Sequence, residues 1–310
     1  MITTHVINIS EEPDEIFRVL CDVNIWPDIF PPCSYGKVEY YIEGRQKINL
    51  TAMANNRLIS WASHRLIDEQ QKTIKFSQTQ KPDYLDYMKG TWTVCSAENG
   101  CQVVLQHDFE AKNDYDYTTA EFSEAEEVVA FYEKATETNS IRELSALKQY
   151  FENKLMTHAF SCCTTISFQE EQYFNLLKKA EHWKYIIPHC SDVEILYDDG
   201  ENQEFIMTVQ VGERTEKIRS IRHIRGMTIR YFQPNPPYPL TRHTGTWKIN
   251  RINGQTTVTS DHQITLSPDA VLSGESVNTL KAVIEKNINN NSYQTMLALN
   301  KTLEGLASEY

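Results

Sequence analysis

No run of apolar residues in the 310-residue chain comes near the roughly 18 needed to cross a bilayer, and its start, MITTHVINISEE, has neither the basic n-region nor the apolar h-region of a secretory leader. A cytoplasmic protein with no membrane role is expected. No two of the seven cysteines (Cys21, Cys33, Cys95, Cys101, Cys162, Cys163, Cys190) form a CxxC pair that could begin a zinc or redox site. Buried free thiols are expected, with no metal and no cofactor. A basic excess is missing too: the formal charge is -12, and the acidic surplus falls mainly on the first half. Phosphate contacts would work against that field, which excludes a nucleic-acid partner.

What the chain does have is enough apolar and aromatic material, 40% and 11%, for two cores, and a length that suggests two domains. It also has an internal repeat, and repeats decide folds. Trp26 and Trp183 each precede a proline by five positions and Cys-Ser by seven, in NIWPDIFPPCS (24 to 34) and EHWKYIIPHCS (181 to 191). Ser-x-Arg occurs as Ser63 and Arg65, then as Ser220 and Arg222. IKFSQ (74 to 78) answers IRYFQ (229 to 233), GTW stands at 90 to 92 and 245 to 247, and His107 and His262 each lie fifteen residues past a GTW tryptophan. NSIRELSAL (139 to 147) and NSYQTMLAL (291 to 299) close the two copies. Ordered matches at nearly constant offset set two units, 1–155 and 156–310.

Each unit reads in one order. VINIS and TTISF alternate like strands, and PDEIFRVLCDV opens with Pro13 in a first helical turn and puts Ile16, Phe17, Val19, Leu20 and Val23 on one face. VEYYIEGRQKINLTAMA, LISWASHRLID, TIKFSQTQ, GTWTVCSA and CQVVLQHDFEA follow as strands, with Asn99-Gly100 and Asn253-Gly254 as hairpin turns. An antiparallel sheet is predicted. Each unit then returns to helical spacing, through Ile141, Leu144, Leu147 and Phe151 in the first and Met296, Leu299, Leu303 and Leu306 in the second.

This order, with WPDIFPP, W-x-S-H-R (61 to 65), F-S-Q (76 to 78) and GTW, resembles the aromatase/cyclases of bacterial aromatic polyketide synthesis, and the duplication resembles their didomain subtype. The resemblance implies an α+β fold of two tandem helix-grip (START-like, Bet v 1-like, SRPBCC) domains, each a curved antiparallel sheet around a long C-terminal helix with an internal cavity. It implies an enzyme that takes a poly-β-ketone on an acyl carrier protein, among other polyketide synthase subunits, and promotes first-ring aldol closure and dehydration. By position, Trp26 and Phe30 would line the first cavity, with Trp183 their counterpart in the second, and Ser63 and Arg65, then Ser220 and Arg222, would project inward. Single-domain relatives carry tyrosine where Cys33 stands, so no phenol role transfers there. The second unit has Ile187 and His189 in place of Phe30 and Pro32, so its cavity is expected to hold the chain while the first acts on it.

Arginine suits an oxyanion partner because it stays charged and offers a rigid fork of donors. Strand alternation puts residues 61, 63 and 65 on one face and His64 on the other. No His/carboxylate pair announces itself for the acid and base of dehydration. His107 and His262, far along the chain from Ser-x-Arg, read as satisfied structural histidines, and Trp92 and Trp247, candidate substrate contacts, read first as core. Tyr115 and Tyr117 in the polar tract 112 to 127 could flank an entrance. Two other classes compete: a START-like carrier of a lipid or polyketide-like ligand, which would want an almost wholly apolar cavity, and a scaffold within a synthase complex.

Overall fold

The computed structural model describes residues 1–30, 33–54, 57–79, 81–119, 122–211, 214–252, 254–271 and 276–308. Pro31 and Pro32 of the WPDIFPP corner and Asn253 of the second hairpin signal lie outside the described residues. The chain divides into two compact units, Met1–Lys154 and Leu155–Tyr310.

In the first unit the order is β1 (Ile2–Ile9), α1 (Pro13–Cys21), α2 (Trp26–Ile29), β2 (Cys33–Ile42), β3 (Arg45–Ala54), β4 (Arg57–Asp68), β5 (Thr73–Gln78), β6 (Leu85–Ala97), β7 (Gly100–Ala111) and the 28-residue α3 (Ala125–Glu152). The second unit repeats it as β8 (Thr157–Ile166), α4 (Glu170–Lys178), α5 (Trp183–Ile186), β9 (Cys190–Asp198), β10 (Asn202–Val211), β11 (Arg214–Arg225), β12 (Thr228–Gln233), β13 (Leu240–Ile252), β14 (Gln255–Leu266), a four-residue α6 (Pro268–Val271) and α7 (Val277–Ser308). Each unit holds one seven-stranded sheet, ordered β1-β7-β6-β5-β4-β3-β2 and β8-β14-β13-β12-β11-β10-β9, and each strand runs antiparallel to its neighbours.

The segment read as one strand over 38 to 54 is two. Glu43 and Gly44 sit at φ 50° and 77° and pair Ile42 with Arg45, a two-residue turn whose twist matches the strands it joins. Ile16, Phe17, Val19, Leu20 and Val23 are all buried, as the helical spacing predicts, and pack with Leu144, Leu147 and Phe151 of α3 in one core. In the second unit Tyr173, Phe174 and Leu177 of α4 pack with Met296, Leu299 and Leu303 of α7. Ile141 and Leu306, placed on those buried faces by spacing, are instead exposed. Both lie beyond the stripe that the sheet covers. All seven cysteines are free; Cys95 and Cys163 are exposed rather than buried, since both sit on the outer face of their strands. No helix among the described residues is long and apolar enough to cross a membrane.

Candidate active site

The repeated motifs, scattered along the sequence, are one row across the sheet. Pairing runs from Gln203 on β10 to Arg222 on β11, Tyr231 on β12, Gly245 on β13 and His262 on β14. In the first unit the same row is Gln46, Arg65, Phe76, Gly90 and His107. Members of a cross-strand row share one face of the sheet, so Ser-x-Arg, I-x-[FY]-x-Q, GTW and the late histidine converge. His107 and His262, far from Ser-x-Arg along the chain, are brought onto its row by the strand register. His64 is exposed, while Ser63 and Arg65 are buried, as alternation requires.

The glycine of GTW makes this row possible. A Cβ at Gly245 would stand 2.4 Å from the Tyr231 hydroxyl and 2.5 Å from the Asp261 carbonyl oxygen; at Gly90 it would stand 2.3 Å from the Phe76 ring. The aromatic side chain of the neighbouring strand therefore lies over the glycine. In the second unit this lets the Tyr231 hydroxyl reach Nδ1 of His262 at 2.6 Å.

A connected polar network grows from that contact. The Tyr231 hydroxyl is also 3.2 Å from Nε2 of His243, and Nδ1 of His243 is 2.9 Å from Oε1 of Gln233. Nε2 of His262 lies 3.0 Å from the hydroxyls of both Ser260 and Ser292, the latter on α7. Burial keeps both imidazoles neutral, pushing His243 down to about 3, with the neighbouring His262 adding to it, and His262 down to about 4. Burial also pushes the Tyr231 phenol far up, so it is a proton donor at neutral pH.

These groups line a cavity of about 280 Å³ together with Trp183, Ser220, Arg222 and Trp247. Arg222 is 2% exposed and stacks over Trp183 with its guanidinium carbon 5.0 Å from the ring centre. Its Nη groups donate to the carbonyls of Leu177 and Lys178 at the end of α4. Those carbonyls lack helical partners, and the cation suits the negative end of the helix dipole. Nε of Arg222 and Nε1 of Trp183 are buried without a hydrogen-bond partner. Burial lowers Arg222 to about 9, leaving it charged at pH 7.

In the first unit Arg65 is capped onto α1 in the same way. Its Nη groups donate to the Leu20 and Cys21 carbonyls and to Gln46 Oε1, at 2.5, 3.4 and 2.9 Å. The guanidinium expected to face substrate thus spends its terminal donors on the fold. Trp26 packs under it, 5.0 Å from Phe30 and 6.5 Å from Trp92, and donates its indole N–H to the Val19 carbonyl. Trp92 is core, whereas Trp247, its counterpart, is half-buried and lines the cavity. Phe76 and Met88 stand where the second unit has Tyr231 and His243, so among the described residues His107 is left with a hydrogen bond to Ser140 on α3, at 3.4 Å, and an edge-on contact with Phe76. Desolvation, then His5, lowers His107 to about 4.

Sequence reading missed Tyr231, His243, Gln233 and Glu143. Glu143 lies on the Ser140–Leu147 side of α3, at the position of the cavity-lining Thr295, and desolvation raises its carboxyl to about 7. The signal that could have found Tyr231 was the one phenol substituted into an otherwise repeated motif. Tyr115 and Tyr117 pack in an aromatic cluster with Tyr84.

The family model for "Polyketide cyclase / dehydrase and lipid transport" matches residues 9–130. The granaticin polyketide synthase bifunctional cyclase/dehydratase of Streptomyces violaceoruber is 25% identical over 276 residues, 86% of this chain and 82% of that protein. The actinorhodin counterpart of Streptomyces coelicolor is 24% identical over 283 residues, 86% and 84% of the two chains. Among solved structures, the di-domain ARO/CYC BexL from the BE-7585A biosynthetic pathway superposes with a TM-score of 0.86 at 25% identity, covering 97% of this chain and 98% of that one. StfQ from the steffimycin pathway, at 17% identity and TM-score 0.79 over 99% of both chains, shares the fold.

The fold, with the cyclase/dehydratases that match over most of the chain, defines a polyketide cyclase/dehydratase. More narrowly, the chain is similar over nearly its whole length to the didomain aromatase/cyclases, and both of its units share their helix-grip architecture.

Proposed function

We propose that the chain folds a poly-β-ketone carried on an acyl carrier protein and promotes first-ring aldol closure and dehydration, with the second cavity carrying the proton transfers. The observation behind this is the row Arg222–Tyr231–Gly245–His262, whose polar side chains line a cavity, together with two buried donors left unpartnered on Arg222 and Trp183 of that lining. Removal of an α-proton gives an enolate whose carbon bonds to a distant ketone carbon, and the carbonyl pair becomes an alkoxide. Nε–H of Arg222 and Nε1–H of Trp183 suit that oxygen, because fixed donors in a dry site need no reorganisation as charge develops. The alkoxide takes a proton; a second α-proton and the hydroxyl then leave as water. Nothing is oxidised or reduced. His262 is the base for both α-protons, its weak basicity offset by the acidity of protons flanked by two carbonyls, and its imidazolium, held on the Tyr231 oxygen through Nδ1–H, returns a proton first to the alkoxide and then to the leaving hydroxyl.

This reverses the expected division of labour, in which the second cavity only held the chain. The first unit keeps His107 and a protonatable Glu143 but lacks the phenol and second imidazole. Its Trp26–Phe30–Trp92 cluster, expected to line a cavity, is packed in the core. A polar, hydrogen-bonded row is more than a carrier of an apolar ligand needs. Seven free cysteines suit a reducing cytoplasm.

The deciding experiment is product analysis in a reconstituted synthase with His262→Ala and His107→Ala. His262→Ala is expected to stop at undehydrated or shunt products, with His107→Ala milder. The opposite order returns the chemistry to the first unit, and full aromatisation by both variants overturns the reading.

A further inference from the structure

The network around Tyr231 has a direction, and one amide sets it. We propose that Gln233 is a positioning residue whose side-chain oxygen fixes the tautomers of His243 and His262, leaving Nε2 of His262 as the bare, basic nitrogen. The inference rests on the second cavity being the site of proton transfer.

Oε1 of Gln233 can only accept, and it lies 2.9 Å from Nδ1 of His243, so that nitrogen carries the ring proton. A neutral His243 then has a bare Nε2, which accepts from the Tyr231 hydroxyl at 3.2 Å. The phenol has one proton and has now spent it. Its oxygen must therefore accept from Nδ1 of His262 at 2.6 Å, which places that ring's proton on Nδ1. Nε2 of His262 is left bare, its single lone pair facing the hydroxyls of Ser260 and Ser292 at 3.0 Å, either of which can donate to it. Every link then has one donor and one acceptor. The 3.3 Å approach of His243 Nε2 to His262 Nδ1 fits as well, a lone pair facing an N–H.

Turning the amide of Gln233 by half a turn would present its NH₂ to His243 and shift every proton by one link. His262 would then carry its proton on Nε2 and would have no lone pair toward Ser292 and the cavity. One remote amide thus selects between a base and a non-base, a relation of the kind by which outer partners fix histidine tautomers at metal sites. The first unit cannot do this, because Phe76 and Met88 interrupt the chain although Gln78 is retained.

The test uses the full chain with ¹⁵N-labelled histidine and long-range ¹H–¹⁵N correlation, the two residues being assigned from His243→Gln and His262→Gln. Both are expected as Nδ1–H tautomers. Gln233→Leu removes the acceptor and should convert His262 to a mixture or to the Nε2–H form, with turnover reduced about 10-fold or more at little-changed KM. Gln233→Glu keeps an acceptor in place and should restore the wild-type pattern. A wild-type His262 protonated on Nε2 overturns the inference even if Gln233→Leu does not fold, as do unchanged tautomers in a folded Gln233→Leu. The tautomer readout needs no activity, so correct tautomers with a fully active His262→Ala would sink the proposed function while leaving the positioning role standing.

Discussion

The hydroxyl of Tyr231 meets Nδ1 of His262 at 2.6 Å across a strand on which Gly245 contributes no side chain. Removing the phenol oxygen separates chemistry from packing, because phenylalanine already occupies the equivalent place, Phe76, in the first unit. Tyr231→Phe is expected to keep the fold, cost about 1–2 kcal/mol for the hydrogen bonds lost, and slow dehydration by about 10²-fold. Denaturant titration and product analysis on the same preparation check both halves.

Gly245→Ala tests the close approach itself. Its Cβ would press on the Tyr231 hydroxyl and, at 2.5 Å, on the Asp261 backbone oxygen, which cannot rotate away. The expected result is a loss of about 1–3 kcal/mol together with displacement of the phenol, seen as a fall in activity larger than that of an equally destabilised surface variant. Wild-type stability would show that the strands separate freely there.

Arg65→Lys keeps the charge and loses the fork that holds the Leu20 and Cys21 carbonyls. A drop of about 1–3 kcal/mol is expected, read as a lower thermal midpoint. Arg222→Ala should harm the product profile more than Arg65→Ala does, since Arg222 lines the cavity described above and its Nε–H is buried without a hydrogen-bond partner.

Two tryptophans at equivalent corners should behave differently. Trp26 is packed under Arg65 with its indole N–H spent, so Trp26→Leu should lower stability by about 2–4 kcal/mol with the ratio of products unchanged. Trp183→Phe keeps most of the packing but removes a donor with no partner in the fold, and should redirect products at nearly constant melting temperature. A changed product ratio with Trp26→Leu would make the first corner a mould for the chain.

Stability should fall as the solution is acidified. His107, His243 and His262 have folded pKa values of about 3 to 4 against an unfolded value of about 6.5, so below that value the unfolded chain binds more protons and stability is lost as pH falls toward the folded values. A midpoint lower by about 5 °C or more at pH 5 than at pH 7 is expected. Glu143 runs the other way: its folded pKa of about 7 lies above the ordinary 4.5, so its contribution is full below 4.5 and is lost as pH rises through 7. Glu143→Gln should therefore raise the midpoint at pH 8 and leave it nearly unchanged at pH 5.

Composition, spacing and repetition determined that there are two copies of one α+β unit, which faces of α1 are buried, and that Ser63 and Arg65 point inward while His64 does not. These are local matters: helical and strand periods are written into consecutive residues. They did not reveal that Glu43-Gly44 divides one long extended segment, because a turn tolerating glutamate at positive φ has weak sequence signals. Nor did they reveal that the terminal donors of Arg65 and Arg222 end on helix carbonyls, since whether a buried cation faces a cavity or a helix end depends on where a separate element docks. The site itself was decided by register. Arg222, Tyr231, Gly245 and His262 come from four strands, and only their pairing brings them onto one face, with His243 beside Gln233 one step along. A shift of one residue between any two of those strands would turn alternate side chains outward, leaving every motif in the sequence intact and the network gone.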